Sequence, residues 1–252
     1  MRLIKTLFID SEYREVHETN SKFKVHLDNP IYCTGFFVKN ISYPNTLYSF
    51  QATRRRFYFY LFGSPTLKYV DIPITKTYDA TLFVTDFQTL LRTQEVNFVV
   101  TFSTITGKLT IENPVVNFKV VTLLDDPTLQ NDCNIKVGFH NNKTYAYTAY
   151  QEAEHILKLY PTRFIYLTSN IGQDISEHNG QLINNIIARV PLINSSFGSY
   201  LTYETSSFAS DFISVPRMFI EELQFYFIND FGELIDSTNG CESSIEIHFY
   251  ET

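Results

Sequence analysis

The chain has 252 residues, 44% of them apolar and 19% charged, which excludes a charged disordered tail and leaves enough apolar surface for one or two folded cores. Nine glycines and nine prolines exclude collagen-like and low-complexity chains, while 23 Phe and 17 Tyr without any Trp favour strands over helices. The net charge of −7 is uneven: residues 1–60 carry +4, residues 61–160 −2 and residues 161–252 −9, and so acidic a C-terminal third argues against specific nucleic-acid binding.

Arg2 to Ile9 reads as a polar-punctuated strand without the apolar run of a secretory signal. No stretch reaches the roughly 18 apolar residues of a membrane span. Three cysteines without close spacing, Cys33, Cys133 and Cys241, suggest neither disulfides nor a metal knuckle, so synthesis in a reducing cytosol is expected. Phe23, Val25 and Leu27 then alternate with Lys22, Lys24 and His26, the period of two of a sheet with one buried face. Asn29-Pro30 predicts a turn and Phe36 to Ser42 a further strand. Arg54, Arg55 and Arg56 form the one basic run, ahead of an aromatic strand at Phe57 to Phe62. Three arginines in an acidic chain are a weak nucleic-acid signal, and the run is read as a candidate subunit contact.

After the Gly63-Ser64-Pro65 break, Leu67 to Ile74 reads as a strand. A Thr85/Gln88 capping box, with Phe83, Phe87, Leu90 and Leu91 on one face, predicts a helix over Asp86 to Thr93. Val96 to Ser103 and Lys108 to Ile111 predict a hairpin around Thr106-Gly107, and Thr148 to Leu159 a second helix stopped by Pro161. Strands follow at Arg163 to Thr168, Ile186 to Pro191, Ser199 to Glu204, Met218 to Ile228 and Ile245 to Phe249. Turn pairs separate them at Asn179-Gly180, Phe197-Gly198, Phe231-Gly232 and Asn239-Gly240. Adjacent Glu221 and Glu222 break the alternation and suggest a bulge.

This order predicts a mainly β protein: a single jelly-roll β-sandwich of two antiparallel sheets, residues 1–53 and 156–252, interrupted by a mixed α+β insertion domain over residues 54–155. The first and last strands become neighbours, which sets basic N-terminal against acidic C-terminal segments. Reactive chemistry is sparse. The histidines, at positions 17, 26, 140, 155, 178 and 248, show no i, i+2 or i, i+4 pair for a metal, and His26 and His248 read as solvated or cross-strand packed. There is no Gly-x-Ser-x-Gly elbow, phosphate loop or dinucleotide fingerprint. Asp125-Asp126 before Pro127 reads as a solvated turn or cap. No catalytic residue, metal or cofactor is expected, and forty aromatics suggest that some serve subunit contacts.

Two groups of segments carry a family resemblance. One is the succession Arg163 to Asn170, Asn185 to Pro191, Ser196 to Ser199, Tyr203-Glu204 and Phe219 to Gly232 with its Asp230-Phe231-Gly232 turn. The other is Ile72 to Ile74, Phe87 to Leu91, Thr106 to Leu109 and Gly138-Phe139. In this order they resemble the minor capsid, or penton, proteins of virophages and Polinton-like viruses. Thr77-Tyr78-Asp79 departs from the family by lacking its glycine before the helix. The resemblance implies a non-enzymatic virion protein whose homopentamer closes the five-fold vertex of an icosahedral shell, next to a double jelly-roll major capsid protein. The insertion would face outward, toward a host surface. The alternative function is a carbohydrate-binding or fibre-like host-attachment module.

Overall fold

The computed structural model describes residues 1–252 apart from 16, 173–174, 179–180, 193–195, 206–210, 236–240 and 252. Packing divides the chain into two units, Met1–Leu47 with Thr162–Thr252, and Tyr48–Pro161. The first unit opens with β1 (Arg2–Asp10) and β2 (Lys22–Pro44). The second contains β3 (Arg56–Leu61), β4 (Lys68–Asp71), helix α1 (Ala80–Arg92), β5 (Val99–Phe102), β6 (Leu109–Glu112), β7 (Phe118–Val120), the one-turn helix α2 (Asn134–Val137) and β8 (Tyr150–Glu152). The first unit resumes with β9 (Phe164–Ser169), β10 (Ile175–His178), β11 (Gln181–Asn184), β12 (Ile186–Pro191), β13 (Tyr200–Glu204), β14 (Ile213–Ile228) and β15 (Ser244–Glu251).

The first unit is a curled antiparallel sheet in the order β1-β15-β2-β14-β9-β12, with β13 also on β2. The 23-residue strand β2 belongs to both layers of the sandwich. Lys22 to Phe36 pair with β14, Gly35 to Ser42 with β15 and Asn40 to Pro44 with β13. Tyr43, beside β13, places its ring 4.6 Å from that of Phe227, which pairs with Leu167 of β9, so the two halves face each other. Between them Phe23, Phe36, Ile41, Leu223, Phe225 and Phe249 form one buried cluster. This is the expected mainly β jelly roll. The chain ends meet as the pattern predicts: Leu7 of β1 faces Ile247 of β15. N-terminal bases also pair with C-terminal acids, Arg14 with Glu242 at 2.6 Å and Lys39 with Glu204 at 2.7 Å.

One turn is a bulge instead. Asn29-Pro30 does not end a strand, because β2 runs through it. Ile31 pairs with Ile220 and His26 with Glu222, so Leu27 to Pro30 lie opposite Glu221 alone. Pro30 has no N–H to give a ladder, and a bulge is where a strand tolerates that loss. The irregularity sits at the glutamate pair, as the broken alternation suggests, but the extra residues belong to the opposite strand.

In the second unit, β4-β3-β7 and β5-β6-β8 are small antiparallel sheets. With α1 they enclose an aromatic core in which Phe57 lies edge-on to Phe87 at 5.2 Å and Phe59 edge-on to Phe98 at 5.3 Å. Helix α1 starts six residues before the expected position, because the Asp79 carboxylate accepts the Leu82 N–H at 2.8 Å and caps it there. Thr85 sits inside the helix and donates to the Thr81 carbonyl, while the Gln88 side chain accepts from Val100 N. The helix expected at Thr148 to Leu159 is absent. Its start becomes the edge strand β8, and the later N–H groups of His155, Leu157 and Lys158 reach the carbonyls of Gly138, Gly107 and Lys136. Partners distant in the sequence thus replace i−4 partners. The turn pairs Asn179-Gly180 and Asn239-Gly240 lie outside the described residues.

Candidate functional site

The three arginines precede and begin β3 in the second unit, all half-buried. Asn131, at a φ of 60°, a left-handed conformation that Asn tolerates, turns its carbonyl to accept both Arg55 N (2.9 Å) and Arg56 N (2.7 Å). The Arg56 guanidinium grips Asp71 with two parallel bonds, Nε to Oδ1 at 2.7 Å and Nη2 to Oδ2 at 2.9 Å, and lies 4.1 Å from the centre of the Tyr69 ring. That grip holds the Asp71 carboxyl below the usual carboxylate range and raises the Arg56 pKa. Arg55 adds a longer contact to the same carboxylate, at 3.8 Å. Arg54 acts instead on Asp132, whose carboxyl burial pushes up to about 6 against its attraction. The run therefore divides: Arg55 and Arg56 converge on one acid, and Arg54 faces another.

The paired carboxylates do separate jobs. Asp125 binds Lys119 Nζ at 2.7 Å and Thr122 N, and Asp126 accepts from Thr128 N and Oγ1, the turn chemistry expected for this sequence. His248 Nε2–H donates to Glu246 Oε1 at 2.7 Å with its ring 5.1 Å from that of Phe37, and His26 lies 3.4 Å from Glu222. Burial raises the thiol pKa of both Cys33 and Cys133, which makes them poor nucleophiles. Among the described residues no three His, Cys, Asp or Glu side chains gather to hold a metal, and no helix is long and apolar enough to cross a membrane.

The first unit exposes aromatic side chains at one edge of its sheet. Strand β1 ends the hydrogen-bonded order, and on and just beyond it Phe8 is 79% exposed and Tyr13 85%. Grooves of about 370 and 260 Å³ flank these two residues, the first continued by Asn40 and Glu246, the second by Lys24 and His26. Such an edge with exposed aromatics invites another polypeptide. Sequence reading missed it because Phe8 sits in an ordinary strand pattern, and only the sheet order shows that β1 is outermost.

A crystal structure of the mavirus penton protein matches 99% of this chain and 100% of its own, with 10% identity and a TM-score of 0.50. The two proteins share a fold. A chain in the 3.5 Å cryo-EM structure of the Sputnik virophage matches over 98% of both chains, with 12% identity and a TM-score of 0.44. No protein-family model matches the sequence, and no curated protein does. The match spans both units of the chain.

Proposed function

We propose that this chain is a structural virion protein: a penton subunit, non-enzymatic, that assembles into a homopentamer at the five-fold vertex of an icosahedral capsid and contacts a double jelly-roll major capsid protein. The observation that carries the reading is the fold shared with the mavirus penton protein along the whole chain. The exposed aromatic edge is consistent with a role in adhesion. Identical subunits that join through two different faces close a ring when each step turns by one fifth. In this reading Arg54, Arg55 and Arg56 belong to a subunit contact. The insertion, residues 54–155 in the sequence reading, faces outward and meets a host surface, and assembly places the protein in the virion.

Electron microscopy and mass measurement of the purified protein, alone and mixed with its major capsid protein, test this directly. Five-membered rings that join the shell protein are expected, and a strict monomer that ignores it overturns the reading. The double variant R54A/R55A keeps the Arg56–Asp71 grip, so it tests the arginine contact without removing that internal anchor. It should weaken ring formation, and rings of unchanged stability would remove the arginines from the contact.

A further inference from the structure

His140 and His155 stand 15 residues apart, yet the second unit brings their Nε2 atoms within 2.8 Å, with ring centroids 4.2 Å apart and planes at 76°. The backbone enforces this. Gly138, at a φ of +94°, lies so close to the segment that follows β8 that a Cβ there would fall 2.4 Å from the His155 carbonyl oxygen. The Gly138 carbonyl accepts His155 N at 3.0 Å, and the next residue, Phe139, is fully buried. His140 N donates to the Tyr145 hydroxyl at 2.9 Å, which donates to Glu154 Oε2 at 2.5 Å, and Lys143 pairs with the other oxygen of Glu154. His140 is half-buried and His155 exposed.

We propose that His140 and His155 together chelate one divalent transition-metal ion, Cu(II) or Zn(II), with water in the remaining positions. Metal–imidazole bonds of about 2.0–2.1 Å at 90–109° set the two nitrogens about 2.8–3.4 Å apart. The pair at 2.8 Å already stands at the lower end of that range, which suits a right-angled pair of bonds, and a tetrahedral angle needs an opening of about half an ångström. In the metal-free pair one Nε2–H donates to the other Nε2. On binding, that ring moves its proton to Nδ1, so both rings present a lone pair and stay neutral. Imidazole nitrogens select Cu(II) and Zn(II) over Mg(II), with Cu(II) the tighter. Among the described residues no third ligand joins the pair, which makes the site open rather than a closed structural one.

The test uses the full-length protein, equilibrium dialysis with Cu(II), Zn(II) and Mg(II), and electron paramagnetic resonance of the Cu(II) form. One ion of Cu(II) or Zn(II) per chain and no bound Mg(II) are expected, with coupling to two imidazole nitrogens. H140N and H155N should each weaken binding by at least the roughly tenfold that loss of an outer partner costs, and H26N should not. Far-UV circular dichroism checks that each variant is folded. Uptake that survives in the H140N/H155N double variant, or a wild-type spectrum without two coupled nitrogens, overturns the proposal, and the spectrum decides even if a variant fails to fold.

Discussion

The ammonium of Lys136 lies 2.8 Å from the main-chain oxygen of Ser49. The same nitrogen reaches the carbonyls of Tyr160 at 2.9 Å and Pro161 at 3.4 Å, so one buried side chain of α2 ties together the first and last residues of the second unit. K136M keeps the length of the side chain but leaves these carbonyls without a charged donor. It should destabilise this unit by about 2–3 kcal/mol, read by calorimetry as a lower midpoint for its transition.

Asp132 sets a pH dependence with a defined sign. Burial raises its folded carboxyl to about 6, above the ordinary value near 3.8 that the unfolded chain keeps. The folded state then holds the proton longer, so the stability this group confers is full at low pH and is lost as pH rises from about 4 to 6, by up to about 3 kcal/mol. Denaturant titrations across that window should show the decline in the wild type and its absence in D132N. Asp71 works in the opposite direction: Arg56 lowers its carboxyl, so its contribution persists at neutral pH and fades as the solution is acidified below the ordinary carboxylate range.

Phe57 is fully buried, with the rings of Phe87, Phe139 and Phe59 around it. F57A should cost about 3–5 kcal/mol in urea unfolding, because a stiff aromatic core collapses poorly into the space left.

Gly138 should not accept a side chain. G138A meets the His155 carbonyl and also forces a left-handed backbone on alanine, for a loss of about 1–3 kcal/mol by thermal unfolding.

Phe8 is the counter-case. Because it is largely exposed, F8S should leave the isolated subunit within about 0.5 kcal/mol of wild type. If β1 lies in the subunit contact, the same change weakens association by roughly tenfold, measured by sedimentation over a concentration series.

The strands were legible in the sequence where alternation is clean. The expected Ile186 to Pro191 coincides with β12, and Ile245, Ile247 and Phe249 are all buried in β15. Errors arose where a tertiary partner outweighed a local signal. Thr85 and Gln88 look like a cap, but Asp79 lies one good capping geometry earlier. Residues 148–159 have helical spacing, yet the open edge of β6 and the carbonyls of Gly138 and Gly107 offer bonds that no local pattern encodes. The candidate site was less readable still. The arginine run is visible in sequence, but its partner Asp71 becomes adjacent only through the β3–β4 pairing, in which Arg56 faces Asp71. The His140–His155 pair was invisible to a search by spacing, since the close approach at Gly138 creates it.

The sharing of β2 among β13, β14 and β15 also fixes an order of events during synthesis. All three partners are encoded in the last quarter of the chain, whereas the second unit is one uninterrupted stretch. The inserted unit can therefore mature while the ribosome is still working. The long strand before it must wait for roughly two hundred further residues, about 10–40 s of translation, with its apolar face unsatisfied. The larger half of the molecule is the last to take shape, and that interval is when holding chaperones matter most.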